Sequence, residues 1–121
     1  MSGTTPTQRT IILLRERGGY CTITERWNPF AKCRTDLMGF ADILWLTPMN
    51  RAVAVQCTTG ENVSKRIDKI LALPQAKHWL DCGNRILVIG WRKLKVKRGG
   101  KQVTWEPREV WVEVEDFVHT T

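Results

Sequence analysis

The chain lacks the long apolar runs of membrane proteins. No apolar stretch among its 121 residues approaches the roughly 18 residues that a membrane-spanning helix needs. The opening segment MSGTTPTQRT is polar and has no apolar core of the kind found in signal peptides. We therefore expect a cytoplasmic protein with no membrane partner.

The chain is also poor in the residue spacings that bind zinc or build disulfide frameworks. Its four cysteines include no CxxC pair and its two histidines are isolated: Cys21, Cys33, Cys57, Cys82, His78 and His119. Without a secretion signal, the thiols are expected to remain reduced. The pattern therefore argues against structural zinc.

Internal repeats, low-complexity segments and interdomain linkers are absent from the sequence. The length suits one compact domain, and 42% hydrophobic with 26% charged residues is ordinary for a globular protein. We predict a single domain over residues 1–121, in which residues 92–121 form a C-terminal β extension.

Acidic residues are outnumbered by basic ones. The chain has 19 lysines and arginines against 12 aspartates and glutamates, which gives a net charge of +7. An excess of this size favours a polyanionic partner, most commonly nucleic acid. The alternative is a soluble protein whose net positive charge is unrelated to the binding of any partner.

The periodicity of the apolar residues predicts an α/β (α+β) fold. The predicted elements, in order, are a helix over 7–17, a strand over 20–27, a loop over 28–39, strands over 41–46 and 52–58, helices over 61–73 and 74–83, a central strand over 85–91 and an antiparallel ribbon. The order αβββα(α)β plus a C-terminal β hairpin implies a mixed central sheet flanked by helices.

Two neighbouring predicted strands, within GFADILWL and RAVAVQCTTG, bring polar side chains together. In an antiparallel pair the start of one strand lies beside the end of the other, so Asp42 is expected close to Gln56 and Thr58. Their oxygens suit Mg²⁺, and a metal there would favour phosphodiester hydrolysis. Alternatively, Asp42 caps its strand, and Gln56 and Thr58 face solvent where the sheet ends.

The same segments resemble the core of the PD-(D/E)XK nuclease superfamily, especially its small Holliday-junction-resolvase-like and phage-encoded members. The likeness covers about residues 7–91 and leaves the C-terminal ribbon unexplained. It implies a restriction-endonuclease-like core, Mg²⁺ or Mn²⁺ as cofactor, branched or structured DNA as substrate, and a homodimer. In this likeness Asp42 matches the metal-binding Asp, Gln56 the Glu, Thr58 the Lys and Thr59 the small hydroxyl residue.

The chain departs from that family pattern at two positions. Gln56 supplies an oxygen without a charge, and Thr58 cannot stabilise developing charge as an ammonium group would. The following helix offers replacement cations, Lys65 or Arg66, that would steady the scissile phosphate. The alternative is that both residues belong to a solvated basic face.

A further carboxylate is also needed to complete such a metal site. Asp36, six residues before Asp42, is a candidate metal ligand or alternatively a turn cap, and Glu25 is another candidate. The first helix of the resolvase-like members carries a glutamate, for which Glu16 is the nearest match and comes about two turns late.

Basic residues accompany aromatic ones in two further segments. WRKLKVKRGGK, residues 91–101, has six cations and no acid, and it predicts phosphate contacts at Lys93, Lys95, Lys97 and Arg98. ERWNPFAKCR, residues 25–34, combines Trp27 and Phe30, which suit unpaired bases, with Arg26, Lys32 and Arg34. The alternatives are lysines that protect an edge strand, glutamates that neutralise them, and aromatic residues that fill the core.

The leading hypothesis is a Mg²⁺-dependent endonuclease that acts on structured or branched DNA. One alternative is a catalytically inactive nucleic-acid-binding protein on the same fold. Another is a protein-interaction module that uses the tryptophan-rich extension, in which an apolar face of Val110, Val112 and Val114 would also suit a dimer contact.

Overall fold

A computed structural model describes the backbone of residues 4–120 and the side chains up to residue 117. Its helices are α1 (Pro6–Arg17), α2 (Val63–Leu71) and α3 (Pro74–Asp81), with 3-10 turns at Gly60–Asn62 and Val114–Thr120. Its strands are β1 (Tyr20–Ile23), β2 (Arg26–Asn28), β3 (Cys33–Thr35), β4 (Ile43–Leu46), β5 (Ala52–Thr59), β6 (Arg85–Lys95) and β7 (Val103–Val112).

Five of these strands form one mixed sheet in the order β1-β4-β5-β6-β7. The β5–β6 pair is parallel and the other three pairs are antiparallel. Strands β5 and β6 are joined through α2 and α3, because a parallel pair needs a crossover that returns the chain to the same end of the sheet. The remaining strands, β2 and β3, form a separate two-stranded sheet.

Helices pack on both faces of the large sheet. On one face, α1 contributes Ile11 and Leu14 to a core that includes alternate residues of the central strands, among them Val55 and Leu87. On the other face, α2 and α3 cover the intervening residues, such as Ala54 and Val88. The predicted class, a mixed sheet flanked by helices, is confirmed.

The start and end of α1 are fixed by local hydrogen bonds. The Thr5 hydroxyl accepts from the backbone N–H of Gln8 at 3.2 Å, and the Gln8 side chain accepts from the Thr5 N–H at 3.0 Å. Pro6 occupies the first turn, where no backbone donor is needed. The helix ends at Gly18, whose φ of 100° favours glycine.

The segment between residues 20 and 39 differs from the prediction. The expected strand over 20–27 ends at Ile23, and a hairpin of β2 and β3 replaces much of the expected loop over 28–39. The side chain of Asn28 accepts hydrogen bonds from the N–H groups of Phe30 and Ala31, which closes a turn between two very short strands. A turn made by a side chain leaves little periodicity in the sequence.

The C-terminal ribbon is continuous with the central sheet. Strand β6 is buried from Ile86 to Trp91 and exposed from Arg92 onward, while β7 pairs with both halves. The expectation that an apolar valine face of the extension is free for a dimer contact is wrong at two positions. Val112 is buried in the core under α2 and α3, and Val110 packs against the same core.

No helix in the described part of the chain is both long and apolar enough to cross a membrane.

Candidate functional site

Asp42 directly precedes β4 and lies between the residue that follows β1 and the middle of β5. Its backbone N–H donates to the carbonyl of Val55 at 2.9 Å, and its carbonyl accepts from the N–H of Thr24 at 2.8 Å. Ile43 pairs with Val55 in the adjacent antiparallel ladder. The next position along therefore places Asp42 beside Gln56.

The Asp42 carboxylate is buried and accepts two hydrogen bonds on one oxygen. Gln56 Nε2 donates to Oδ2 at 2.7 Å, and the backbone N–H of Cys57 donates to the same oxygen at 2.9 Å. Asp42 and Gln56 are only 4% and 6% exposed. The sequence-predicted pair thus meets directly on one face of the sheet, and Gln56 presents its amide nitrogen to the carboxylate.

The environment of Asp42 raises its pKa to about 7. Burial is the largest cause, because the charged form loses its hydration. The negative charge of Glu25, a hydrogen bond with that residue, and the charge of Asp36 act in the same direction, while the hydrogen bond from the Cys57 N–H opposes them. Excess negative charge at a buried carboxyl is a feature of cation-binding and catalytic sites.

Both additional carboxylates act on Asp42, from the open end of the β2–β3 hairpin, where Arg26 pairs with Thr35. Glu25 comes immediately before β2, and Asp36 comes immediately after β3. Glu25 also forms an ion pair with Arg34 at 3.2 Å. Glu25, the less favoured of the two predicted carboxylates, has the larger effect on the pKa of Asp42 and also acts through a hydrogen bond, whereas Asp36 acts through its charge alone.

Thr58 lies on the same face of β5 as Gln56, because side chains alternate along a strand. It is 5% exposed and sits opposite Gly90 of β6. At Gly90 a Cβ atom would approach Val63 Cγ2 to 2.2 Å and the Thr59 carbonyl to 2.9 Å. Glycine at this position therefore allows Val63, at the start of α2, to pack directly on β6 beside the end of β5.

The two candidate cations of α2 face different directions. The helix buries Val63 and Ile70 against the sheet. Successive residues turn by ~100°, so Arg66 lies at the flank of the buried stripe and is half-exposed, whereas Lys65 is exposed on the far side. Of the two, only Arg66 borders the buried stripe of the helix.

Arg92 is a further cation near the end of β5 that could hold a phosphate, and the sequence did not indicate it for that role. A Cβ atom on Gly60 would lie 3.1 Å from Arg92 Cβ, so the stem of Arg92 packs beside the residue that follows Thr59. The parallel register, in which Thr58 pairs with Gly90, puts Arg92 on the same face as Thr58. The pattern within β6 contains no signal of this register.

Cys57 is not suited to act as a nucleophile. Burial is the main reason that the pKa of its thiol rises to about 12, and the charge of Asp42 adds to the effect. Hydrogen bonds with Thr10 and Thr7 of α1 oppose the rise. At neutral pH the thiol remains protonated, and only the thiolate attacks or binds metals.

The exposed ribbon carries the predicted phosphate contacts. Lys93 and Lys95 share one face of β6, opposite Trp105 and Val103 of β7, and Lys97 with Arg98 lies toward the turn. In the described residues, no ion pair within 4.0 Å involves any of these four cations. Two of the four glutamates that were expected to neutralise them are used elsewhere, since Glu109 pairs with Arg17 and Glu113 with Arg85. Glu106, by contrast, lies opposite Arg92 in the ribbon.

Trp105 adds an aromatic surface to the ribbon. The guanidinium of Arg9 stacks 3.7 Å from the centre of its ring, and Lys93 Nζ lies 5.9 Å from it. A cleft of about 310 Å³ opens beside this ring, where the ends of β5 and the exposed half of β6 meet. Its lining combines Trp105 with Arg92, Lys93 and Glu61.

The donor atoms around Asp42 fit a divalent cation of the hard type. The Asp42 carboxylate and the Thr58 hydroxyl are oxygen ligands, and the Gln56 amide, which donates its nitrogen to Asp42, would add a third if its oxygen turned toward the ion. Mg²⁺ uses few protein ligands because it keeps several waters. Within the described residues, no three side chains of His, Cys, Asp or Glu are grouped to hold a metal by themselves. A metal here would therefore depend on Asp42 with neutral oxygens and on water.

Comparison with models of protein families, with curated proteins and with solved structures finds no match to this chain.

Proposed function

We propose that the protein is a metal-dependent endonuclease that acts on structured or branched DNA. The observation that carries this proposal is the buried contact of Asp42 with Gln56, where burial, together with the charges of Glu25 and Asp36, raises the pKa of the Asp42 carboxyl to about 7. A cation would relieve this accumulation of negative charge. The unpaired basic residues of the ribbon support a polyanionic substrate, since DNA affinity arises largely from phosphate contacts.

The proposal includes a restriction-endonuclease-like core. Its support is the order β1-β4-β5-β6, with α1 on one face and α2 on the other. Asp42 and Gln56 lie at the facing ends of the second and third of these strands. This is the arrangement that the resemblance of GFADILWL and RAVAVQCTTG to PD-(D/E)XK nucleases implies.

Each polar residue has a defined role in the proposed reaction. Asp42 binds Mg²⁺ or Mn²⁺, Gln56 orients the carboxylate and offers a neutral ligand, and Thr58 contacts a water molecule or a phosphate oxygen. A bound divalent cation would polarise the phosphate and lower the pKa of the attacking water. Arg66 and Arg92 would hold phosphates at the end of β5, in place of the lysine for which Thr58 stands.

Cleavage assays with matched carboxylate variants test the proposal. The protein is incubated with supercoiled plasmid, a flap and a four-way junction in Mg²⁺ or Mn²⁺, and we expect cleavage that Asp42→Asn abolishes. Asp81→Asn, at an exposed carboxylate of α3 paired with Lys77, should keep full activity. Absence of cleavage on every substrate with both metals, or cleavage by Asp42→Asn, would contradict the proposal.

A catalytically inactive nucleic-acid-binding protein is the second candidate. The observation in its favour is that Gln56 and Cys57 already satisfy the Asp42 carboxylate without a metal. This candidate predicts a salt-dependent gel shift that is the same in EDTA and in Mg²⁺, with no cleavage and no effect of Asp42→Asn. Calorimetric titration with Mg²⁺ distinguishes the two, since only the nuclease should bind the ion at Asp42.

The proposed endonuclease would act as a homodimer. Branched DNA such as a four-way junction has two-fold symmetry, and a closed two-fold dimer presents two equivalent sites to it. Sedimentation equilibrium with and without junction DNA measures this directly. If the protein is a monomer that cleaves the two strands independently, the homodimer is contradicted, whereas the proposed metal-dependent cleavage is not.

A further inference from the structure

The β2–β3 hairpin, residues 26–35, exposes aromatic side chains that contribute little to packing; we call it the aromatic hairpin. Phe30 at its tip is 97% exposed and Trp27 in its stem is 58% exposed. A fully exposed phenylalanine forgoes the stabilisation that burial of its ring would supply. The hairpin pairs with neither edge of the large sheet, so these rings are also not placed there by the needs of the main core.

The turn that carries Phe30 is held in a defined conformation. Asn28 Oδ1 accepts from the N–H of Phe30 at 3.0 Å and from the N–H of Ala31 at 3.1 Å. Lys32 adopts a left-handed conformation with φ of 53°, which costs free energy in a residue other than glycine. The aromatic ring is thus presented outward on an organised turn, which lowers the entropy cost of inserting it into a partner.

The aromatic hairpin is also joined directly to the candidate site. The backbone N–H groups of Thr24 and Glu25, which lead directly into the hairpin, donate to the Asp42 carbonyl at 2.8 and 3.3 Å. Arg26 and Lys32 form no ion pair with any described residue, whereas Arg34 is paired with Glu25. Two unpaired cations next to two exposed rings suit a ligand that offers both phosphates and flat bases.

We propose that the aromatic hairpin is a wedge that enters DNA where base pairing is interrupted and stacks Phe30 on the exposed base. Arg26 and Lys32 contact the flanking phosphates, and the short link through Glu25 and Asp36 sets the branch close to Asp42. The inference rests on the proposed function, because it names the feature of the substrate that the endonuclease recognises. An intact duplex offers no exposed base face, so the wedge discriminates branched from linear DNA.

The test measures binding in EDTA, where no cleavage occurs, with 2-aminopurine placed at the branch of a four-way junction and at the centre of a linear duplex of the same sequence. We expect the full-length protein to change the fluorescence at the branch only. Phe30→Ala should abolish that change and weaken junction binding about 10-fold, since base stacking on an aromatic ring is worth about that much. Its affinity for the linear duplex should be unchanged.

Two further variants keep the test specific. Phe30→Trp preserves a stacking surface and should retain the fluorescence change. Met49→Ala removes another highly exposed apolar side chain, 81% exposed, from the β4–β5 turn and should behave as the unmodified protein. Equal affinity of Phe30→Ala for the junction, or equal losses on junction and duplex, would overturn the wedge, as would contact of the hairpin with a protein partner instead of DNA.

The outcomes distinguish a failure of the wedge proposal from a failure of the endonuclease proposal. Cleavage that needs Asp42 and ignores Phe30 would overturn the wedge and leave the endonuclease standing. Junction-specific binding that needs Phe30, with no cleavage in Mg²⁺ or Mn²⁺, would support the wedge and remove the endonuclease.

Discussion

The carboxyl group of Asp42 is stabilised in its protonated form by burial and by the acids around it. Its pKa of about 7 in the folded chain compares with about 3.9 for an unfolded aspartate. Between these values the folded state binds more protons than the unfolded state. The contribution of this group to stability is therefore fully present below pH ~3.9 and is lost as the pH rises through about 7.

We predict from this linkage that the free energy of unfolding has a component that decreases between pH ~4 and ~7. Asp42→Asn should remove this component, because a neutral amide can still accept both hydrogen bonds, and should be more stable than the unmodified chain at pH 8 in EDTA. Urea denaturation across this pH range measures both effects. Parallel pH profiles for the two proteins would show that Asp42 titrates normally.

At Gln56, a single substitution to glutamate would restore the negative charge that the PD-(D/E)XK pattern has at this position. We predict that Gln56→Glu lowers the melting temperature in EDTA, because a second carboxylate then lies beside Asp42 in a buried place. Saturating Mg²⁺ should restore the melting temperature, because binding to the folded state alone stabilises it. Thermal unfolding with and without metal checks this.

Gln56→Leu provides the control for that experiment. It removes the oxygen ligand without adding charge and should show no gain from Mg²⁺ beyond that of the unmodified chain. A Gln56→Glu protein that Mg²⁺ does not stabilise would show that the end of β5 does not hold a cation.

At the scale of elements, the crossover from β5 through α2 to β6 depends on one close approach. We predict that Gly90→Ala destabilises the protein by about 1–3 kcal/mol, since the added methyl group meets Val63 and the Thr59 carbonyl inside contact distance. Gly100→Ala, at the tip of the ribbon, should have a much smaller effect. Chemical denaturation of both variants gives the comparison, and equal stabilities would place α2 farther from the sheet.

The hairpin elements show how far local pattern predicts structure. Strands β4 and β5 were predicted because two short apolar runs flank a turn, and their antiparallel pairing already placed Asp42 next to Gln56. The aromatic hairpin was not predicted, because three-residue strands carry almost no periodicity and the turn is closed by a side-chain hydrogen bond of Asn28. Glu25 consequently emerged as the nearer carboxylate only in the folded chain.

At the scale of the whole molecule, the net charge is +7, and some of the cations form ion pairs while others do not. Cations near glutamates are consumed in ion pairs such as Arg17 with Glu109, while those of the ribbon stay unpaired within the described residues. The ribbon, which continues β6 and β7 beyond the residues paired with β5, is therefore one region of unpaired positive charge. This distribution favours the binding of a polyanion across that region.

We predict that DNA affinity decreases steeply with salt and that Lys93→Ala with Lys95→Ala makes this decrease shallower. Each lost phosphate contact should reduce the slope of log affinity against log salt by about 0.9 on duplex DNA. Lys77→Ala, in an ion pair with Asp81, should leave the slope unchanged. Fluorescence anisotropy over a range of salt concentrations measures all three proteins, and an unchanged slope in the double variant would place DNA elsewhere.

The sequence by itself determined the elements outside residues 20–39 and the meeting of Asp42 with Gln56, because periodicity and a short turn are local properties of the chain. Only the tertiary structure decided how deeply that carboxyl is buried, that Glu25 lies closer to it than Asp36, and that Arg92 stands beside the end of β5. These features depend on the parallel register of β5 with β6 and on the packing of distant segments. Neither leaves a pattern in neighbouring residues, since contacts across the sheet join parts of the chain that are far apart in sequence.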